Sequence, residues 1–274
     1  MKTRIVLTLI VAAALGGCGG AASGGTTVVA GFYPLAFAAE RIGGDEIDVR
    51  NLTPPGVEPH DLELSGSDIR TIADADLVLY LGQDFQPALE DAIDSTSAQA
   101  VDLLGSDEAK DPHVWLDPIR YAAIAERIGE ELNRRPEAAR FAARLRALDR
   151  EFRRGLTNCE RHEIVTSHAA FGYLAERYGL EQVAITGIAP EAEPTPRELE
   201  NVVHEVQAVG ATTVFSEALV SPRLAETVAR EVGAKTAVLD PLEGLTESDV
   251  KAGEDYFSVM RANLAALRKA LGCR

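Results

Sequence analysis

Residues 117–156 read DPIRYAAIAERIGEELNRRPEAARFAARLRALDREFRRGL, and this stretch decides how the rest of the chain divides. Asp117-Pro118 puts a capping carboxylate before a proline whose fixed φ suits a first helical turn, so a helix is expected from there to about Asn133. Pro136 opens a second helix. Its apolar positions Phe141, Leu145, Leu148, Phe152 and Leu156 recur at intervals of 4, 3, 4 and 4. That spacing makes one stripe along a helix of about 30 Å.

On either side of this stretch, short β-branched apolar runs alternate with helical patterns. Strands are expected at 27–31, 47–52, 77–81 and 100–103 before it, and at 163–166, 182–186, 213–216 and 236–239 after it. Helical patterns follow at 35–42, 68–75, 170–178, 197–209, 222–232 and 248–271. Strand–helix alternation implies parallel sheets covered on both faces. The expected class is therefore α/β, with two lobes, each a four-stranded mostly parallel sheet flanked by helices, joined by a long rigid helix. One continuous sheet is the alternative, and a helical interruption of some 40 residues suits it poorly.

The amino terminus separates from this pattern. Lys2 and Arg4 precede an apolar run from Ile5 to Leu15, shorter than the roughly 20 apolar residues that span a bilayer, so the run reads as an export signal. Leu15-Gly16-Gly17-Cys18 follows and looks like a bacterial lipobox, which makes Cys18 the expected lipidation site. Residues 19–25 (GGAASGG) read as a flexible tether of Gly/Ser type. The expected organisation is a signal peptide at 1–17, a lipidated tether at 18–25, an amino-terminal lobe at 26–134, a linking helix at 135–157 and a carboxy-terminal lobe at 158–274.

Charge sets further bounds. The 274 residues carry 27 basic and 43 acidic side chains, a formal net charge of −16. Cleavage before Cys18 would remove two basic residues and no acidic ones, moving this to −18. Such a surface argues against nucleic acid as a partner, since binding phosphates needs basic groups. Of three cysteines, Cys159 and Cys273 remain once Cys18 is assigned to lipid. Export to an oxidising compartment favours a disulfide between them over two buried thiols.

The five histidines sort by position. Ligands of open α/β sheets bind beyond the carboxyl ends of the strands. His60 lies in the loop after the second strand, His113 after the fourth, and His168 at the end of the fifth. His162 precedes its strand and His204 sits mid-helix among polar residues, so both read as surface residues. Asp240 and Glu217 close the last two strands. Three imidazoles and a carboxylate suit a borderline transition metal, above all four-coordinate Zn²⁺.

Four stretches, 54–64 (PPGVEPHDLEL), 111–118 (DPHVWLDP), 166–174 (TSHAAFGYL) and 238–242 (VLDPL), together resemble the zinc/manganese solute-binding lipoproteins of bacterial ABC importers. The resemblance covers roughly residues 26–271. It implies two α/β lobes, a rigid connecting helix and one metal in the cleft between them, with His60, His113, His168 and Asp240 as ligands. It also implies a monomer held by lipid at the outer face of the plasma membrane, delivering its ion to an ABC permease driven by an ATPase. In this family the third ligand is commonly His in zinc proteins and Glu in manganese proteins, and His168 points to Zn(II), with Mn(II) as the alternative. Glu217 is the expected partner of a ligand imidazole's other nitrogen. The stretch 94–110 departs from the pattern: many zinc-uptake members carry a long histidine-rich loop there, and this chain has a short one without histidine.

Capture rather than catalysis is therefore expected. A zinc hydrolase of the cell envelope is the rival, with Glu217 as base, and no His-Glu-x-x-His or other hydrolase signature supports it. A surface adhesin is the other alternative. Trp115, two residues from His113, is expected in the core and close enough to report metal binding by fluorescence.

Overall fold

The computed structural model describes residues 25–105, 111–190 and 194–274. The export signal and Cys18 fall outside the described residues, as does part of the loop 94–110. Two parallel four-stranded sheets form the frame. The first comprises β1 (Thr26–Ala30), β2 (Ile47–Asn51), β3 (Leu77–Tyr80) and β4 (Ala100–Asp102), in the order β2-β1-β3-β4. The second comprises β5 (Glu163–Thr166), β6 (Glu181–Ala184), β7 (Thr213–Ser216) and β8 (Lys235–Val238), in the equivalent order β6-β5-β7-β8. Every strand expected from the sequence is present, with ends shifted by no more than two residues, and every described pairing is parallel.

Helices α1 (Tyr33–Gly43), α2 (Gly66–Ala73) and α3 (Pro87–Ser95) belong to the first sheet, and α6 (Gly172–Tyr178), α7 (Pro196–Ala208) and α8 (Arg223–Val232) to the second. Between the sheets lie α4 (Pro118–Glu131) and the 21-residue α5 (Arg135–Gly155). Asp117 caps α4 as its sequence suggests, accepting a hydrogen bond of 2.8 Å from Ile119 N. The stripe read from α5 is buried, and Ala138, Ala142 and Asp149 join it. At the turn between the two helices a Cβ on Gly129 would collide with that of Ala138, so glycine is what allows α4 and α5 to pack so closely.

Two helical features differ from the sequence reading. The α3 helix was not anticipated, because it buries only Leu89 and Ala92 and offers little periodicity. The pattern 248–271 is broken into α9 (Glu247–Ala252) and α10 (Tyr256–Leu271). Gly253 ends α9 at φ 75°, a left-handed conformation natural to glycine, and Asp255 starts α10 by accepting from Phe257 N and Ser258 N.

One large apolar core runs through both lobes, from Val28 and Phe32 through Phe141 and Phe152 to Phe171, Phe215 and Leu271. Smaller clusters fill the outer face of each sheet, around Val29 and Ile72 in the first lobe and around Val165 and Val228 in the second. Hydrogen bonds add direction to this junction: Trp115 Nε1 donates to Pro241 O at 2.7 Å, and Tyr256 Oη donates to Trp115 O at 2.6 Å. Cys159 and Cys273 are joined by a disulfide, which ties the chain beyond α5 to the residues beyond α10 across 114 positions. No helix among the described residues is long and apolar enough to cross a membrane.

Candidate metal centre

Four loops at the carboxyl ends of strands converge between the sheets. His60 sits in a short 3-10 turn, 59–61, that Glu58 caps by accepting from His60 N at 3.1 Å. The prolines at 54, 55 and 59 restrict this loop, and the His60 ring packs edge-on against Phe85 with ring centroids 4.7 Å apart. His113 is held by Asp111, whose Oδ1 accepts from His113 N at 3.0 Å and from the ring Nδ1–H at 2.7 Å. His168 is held in the same way by Glu217, with 3.0 Å from the backbone N and 2.7 Å from Nδ1–H. A carboxylate on Nδ1 fixes the tautomer and turns the Nε2 lone pair toward the cleft.

The fourth place is taken by Glu243. Its Oε1 lies 3.0 Å from His113 Nε2, 3.3 Å from His168 Nε2 and 3.3 Å from His60 Nε2, while the Nε2 atoms of His113 and His168 are 3.2 Å apart. All four donor atoms lie within 4.8 Å of one another. Asp240, expected from the sequence, is not in this group. Its Oδ1 accepts from Leu242 N at 2.7 Å, and its backbone is clasped by Asn263 of α10, which donates to Asp240 O and accepts from Asp240 N. The chain then turns through Leu242 at φ 56°, and this turn carries residue 243 into the cleft. Asp240 thus builds the turn and Glu243 supplies the donor.

The sequence reading missed Glu243 and Asp111. A lone acid in Leu242-Glu243-Gly244-Leu245, five residues past a strand end, and the Asp-x-His spacing of Asp111 and His113 were the available signals. Glu217 stands where it was expected, beside His168. His162 and His204 lie outside the cluster. The whole group is withdrawn from water: His113 and His168 are fully buried, Glu243 is 1% exposed, and only His60 is partly open.

The electrostatics are those of nitrogen and oxygen donors crowded round a shared point. Burial raises the Glu243 carboxyl, yet the three imidazoles outweigh it and hold that carboxyl well below the ordinary range. Burial likewise lowers His168, but Glu217 and Glu243 lift it to about 10, and His113 is raised by Asp111 and Glu243 against the same opposition. Glu58 is pushed up to about 9 by burial and by the neighbouring Glu243 carboxyl. His60 Nε2 and Glu243 Oε2 are buried without a hydrogen-bond partner. Donor atoms ~2.0–2.1 Å from a tetrahedral zinc ion are separated by ~3.3 Å. Four of the six separations here are 3.0–3.3 Å. A single cation between them would satisfy every donor at once.

Comparison with known proteins agrees with this chemistry. Residues 28–270 match the family model described as zinc-uptake complex component A, periplasmic. The chain belongs to that family. It is 35% identical over 283 residues to the zinc-binding protein AdcA of Streptococcus pyogenes, covering 88% of this chain and 55% of the relative. The chain thus spans about half the length of that relative. Against the high-affinity zinc uptake system protein ZnuA of Bacillus subtilis it is 33% identical, with 89% of this chain and 87% of the relative covered. Among solved structures, the Zn(II)-bound ZnuA-like domain of Streptococcus pneumoniae AdcA superposes with a TM-score of 0.77 at 35% identity, over 90% of this chain and 99% of that one. The laminin-binding protein Lmb of Streptococcus agalactiae, described as both adhesin and metal transporter, gives 0.82 at 31% identity, over 90% of this chain and 100% of that one.

Proposed function

We propose that this protein captures Zn(II) outside the cytoplasm and passes it to a membrane permease for import. His60, His113, His168 and Glu243 bind the ion, while Asp111 and Glu217 hold two of the imidazoles in register through their far nitrogens. The observation that carries this reading is that four of the six donor separations match the edges of a zinc-centred tetrahedron, with all four donors within 4.8 Å of one another. Three nitrogens with one oxygen favour zinc over manganese, which prefers a harder, oxygen-rich site. Four protein donors leave no position for an activated water, so the ion is cargo and no catalysis takes place at it. Lipid on Cys18 anchors the protein at the outer face of the plasma membrane, the tether lets the lobes reach a partner, and an ABC permease with its ATPase receives the ion.

The lobes, 26–134 and 158–274 about the linking helix 135–157, act as one body on this reading, because a single apolar core joins them. Titrating zinc into the purified protein at pH 7.5 and 5.5, read by Trp115 emission and by native mass spectrometry against Mn(II), tests the assignment. One equivalent of zinc should bind in preference to manganese and bind more weakly at the lower pH, since imidazole must be unprotonated to ligate. Equal affinity at the two pH values, or a stoichiometry other than one, would overturn it.

A further inference from the structure

The two facing imidazoles each lead into a helix. His113 lies five residues before α4, and His168 lies four before α6. We propose that Arg177, on α6, is a positioning residue for the metal centre: it ties the start of α4 to α5 and α6 and thereby sets the gap between the two halves of the site. This inference rests on the zinc-capture reading above.

The tie is a buried polar bridge. Arg177 Nε lies 3.0 Å from Asp117 Oδ1 and 2.7 Å from Asp149 Oδ1. The side chains of Asp117, Asp149 and Arg177 are 6%, 10% and 18% exposed. Asp117 is the cap of α4, so its carboxylate is oriented by the helix start and a pull on it is a pull on the helix that follows His113. Asp149 belongs to α5, the spine. Two neighbours reinforce the grip of α6: Tyr178 Oη donates to Asp149 Oδ1 at 3.3 Å with its ring stacked on Phe152, and the Arg120 guanidinium of α4 sits 4.2 Å over the Tyr173 ring.

Apolar packing across the junction is strong but non-directional, so by itself it tolerates small slides of one lobe on the other. The Arg177 Nε–H donates to Asp149 Oδ1, a directional bond, while the same guanidinium pairs with the Asp117 carboxylate as a charge at 3.0 Å, so the bridge weakens if the helices shift by much more than a hydrogen-bond length. Without Arg177, two carboxylates would face each other with less compensating charge, and their repulsion would drive α4 from α5 and α6. Arg153 also meets Asp149, at 3.2 Å, but it lies on α5 itself and joins nothing across the lobes.

The test uses the whole purified chain. Zinc release into excess chelator is followed by stopped-flow, and zinc is competed against manganese at equilibrium. Asp117→Ser keeps a capping hydroxyl and is too short to reach Arg177, while Arg177→Met removes the bridge. Both should release zinc roughly tenfold faster, the size of effect seen when partners outside the ligand set are removed, and both should discriminate less against manganese. Arg177→Lys should lie between these and the unaltered protein, and Arg153→Met should release zinc at the unaltered rate even if it melts earlier. Should Arg177→Met fail to fold, Asp117→Ser decides. The proposal is overturned if folded Asp117→Ser releases zinc at the unaltered rate, or if Arg153→Met speeds release as much as Arg177→Met does. Failure of the unaltered protein to bind zinc would overturn this proposal and the capture reading together, whereas zinc binding with unchanged variants would overturn the tie alone.

Discussion

In the amino-terminal lobe the donors lie far from their strands, His60 nine residues beyond β2 and His113 eleven beyond β4. In the carboxy-terminal lobe they lie close, His168 two residues beyond β5 and Glu243 five beyond β8. Strand order is the same in both. A donor next to a strand inherits the position of the sheet: His168 follows Thr166, which is paired with Ala184 and Phe215. A donor at the end of a long loop needs other restraint, supplied for His113 by Asp111 and for His60 by prolines and the Phe85 ring. His60 alone among the imidazoles has no carboxylate on its ring Nδ1 among the interactions described, and its side chain is 9% exposed against 0% for the other two. The carboxy-terminal lobe therefore offers a rigid half-site, with His60 at the mouth.

Breaking the rigid half should cost most. Binding of zinc to closed four-ligand sites is worth ~10–16 kcal/mol, so one ligand contributes roughly a quarter, ~2.5–4 kcal/mol. His168→Ala should thus weaken zinc binding by roughly a hundredfold to a thousandfold, measured by chelator competition at pH 7.5. His60→Ala should lose less than His168→Ala. Equal losses would show that the two halves grip alike and remove the distinction.

The disulfide is a further asymmetry, since Cys159 and Cys273 both belong to the carboxy-terminal lobe. Replacing both with Ser should lower unfolding stability by about 2–5 kcal/mol, with loss of the constraint on the unfolded chain as the main cause. Urea unfolding with and without reductant measures it. Zinc affinity of the folded double variant should be unchanged, because neither cysteine touches the site.

Glu217→Gln tests the restraint on His168 without removing the ligand. The amide oxygen can replace only one of the two carboxylate oxygens that accept from His168 N and Nδ1–H, and it no longer strengthens the imidazole as a donor, so affinity should fall by ~10–100-fold. Asp111→Asn should act on His113 in the same direction. Of all these features, the strands with their division into two parallel sheets and the histidines were the legible ones. Strands announce themselves through short β-branched runs, and imidazoles at strand ends can be placed by topology alone. Glu243 was not legible in that way. Reaching it depends on a non-glycine residue, Leu242, adopting a left-handed φ, and no periodicity encodes that. Nor could the Arg177 bridge be read, because Asp117, Asp149 and Arg177 are distant in sequence; Asp149 and Arg177 look like ordinary helical charges, and Asp117 reads only as a helix cap.

The smallest effect separates Asp240 from Glu243. Burial lifts the Asp240 carboxyl from its ordinary value to about 7, opposed by the hydrogen bond from Leu242 N and aided by nearby carboxylates. A carboxyl that holds its proton more tightly when folded destabilises the fold progressively as pH rises from about 4 to about 7, and fully above that. Asp240→Asn removes this cost while still accepting from Leu242 N. It should leave stability nearly unchanged at pH 4 and raise it by about 1–3 kcal/mol at pH 8, the lower end allowing for the weaker hydrogen bond to an amide oxygen. Its zinc affinity should match that of the unaltered protein, whereas Glu243→Gln should lose affinity on the scale of a ligand. If Asp240→Asn instead weakened zinc binding as much as Glu243→Gln, the turn and the donor would not be separable, and the half-site would include both acids.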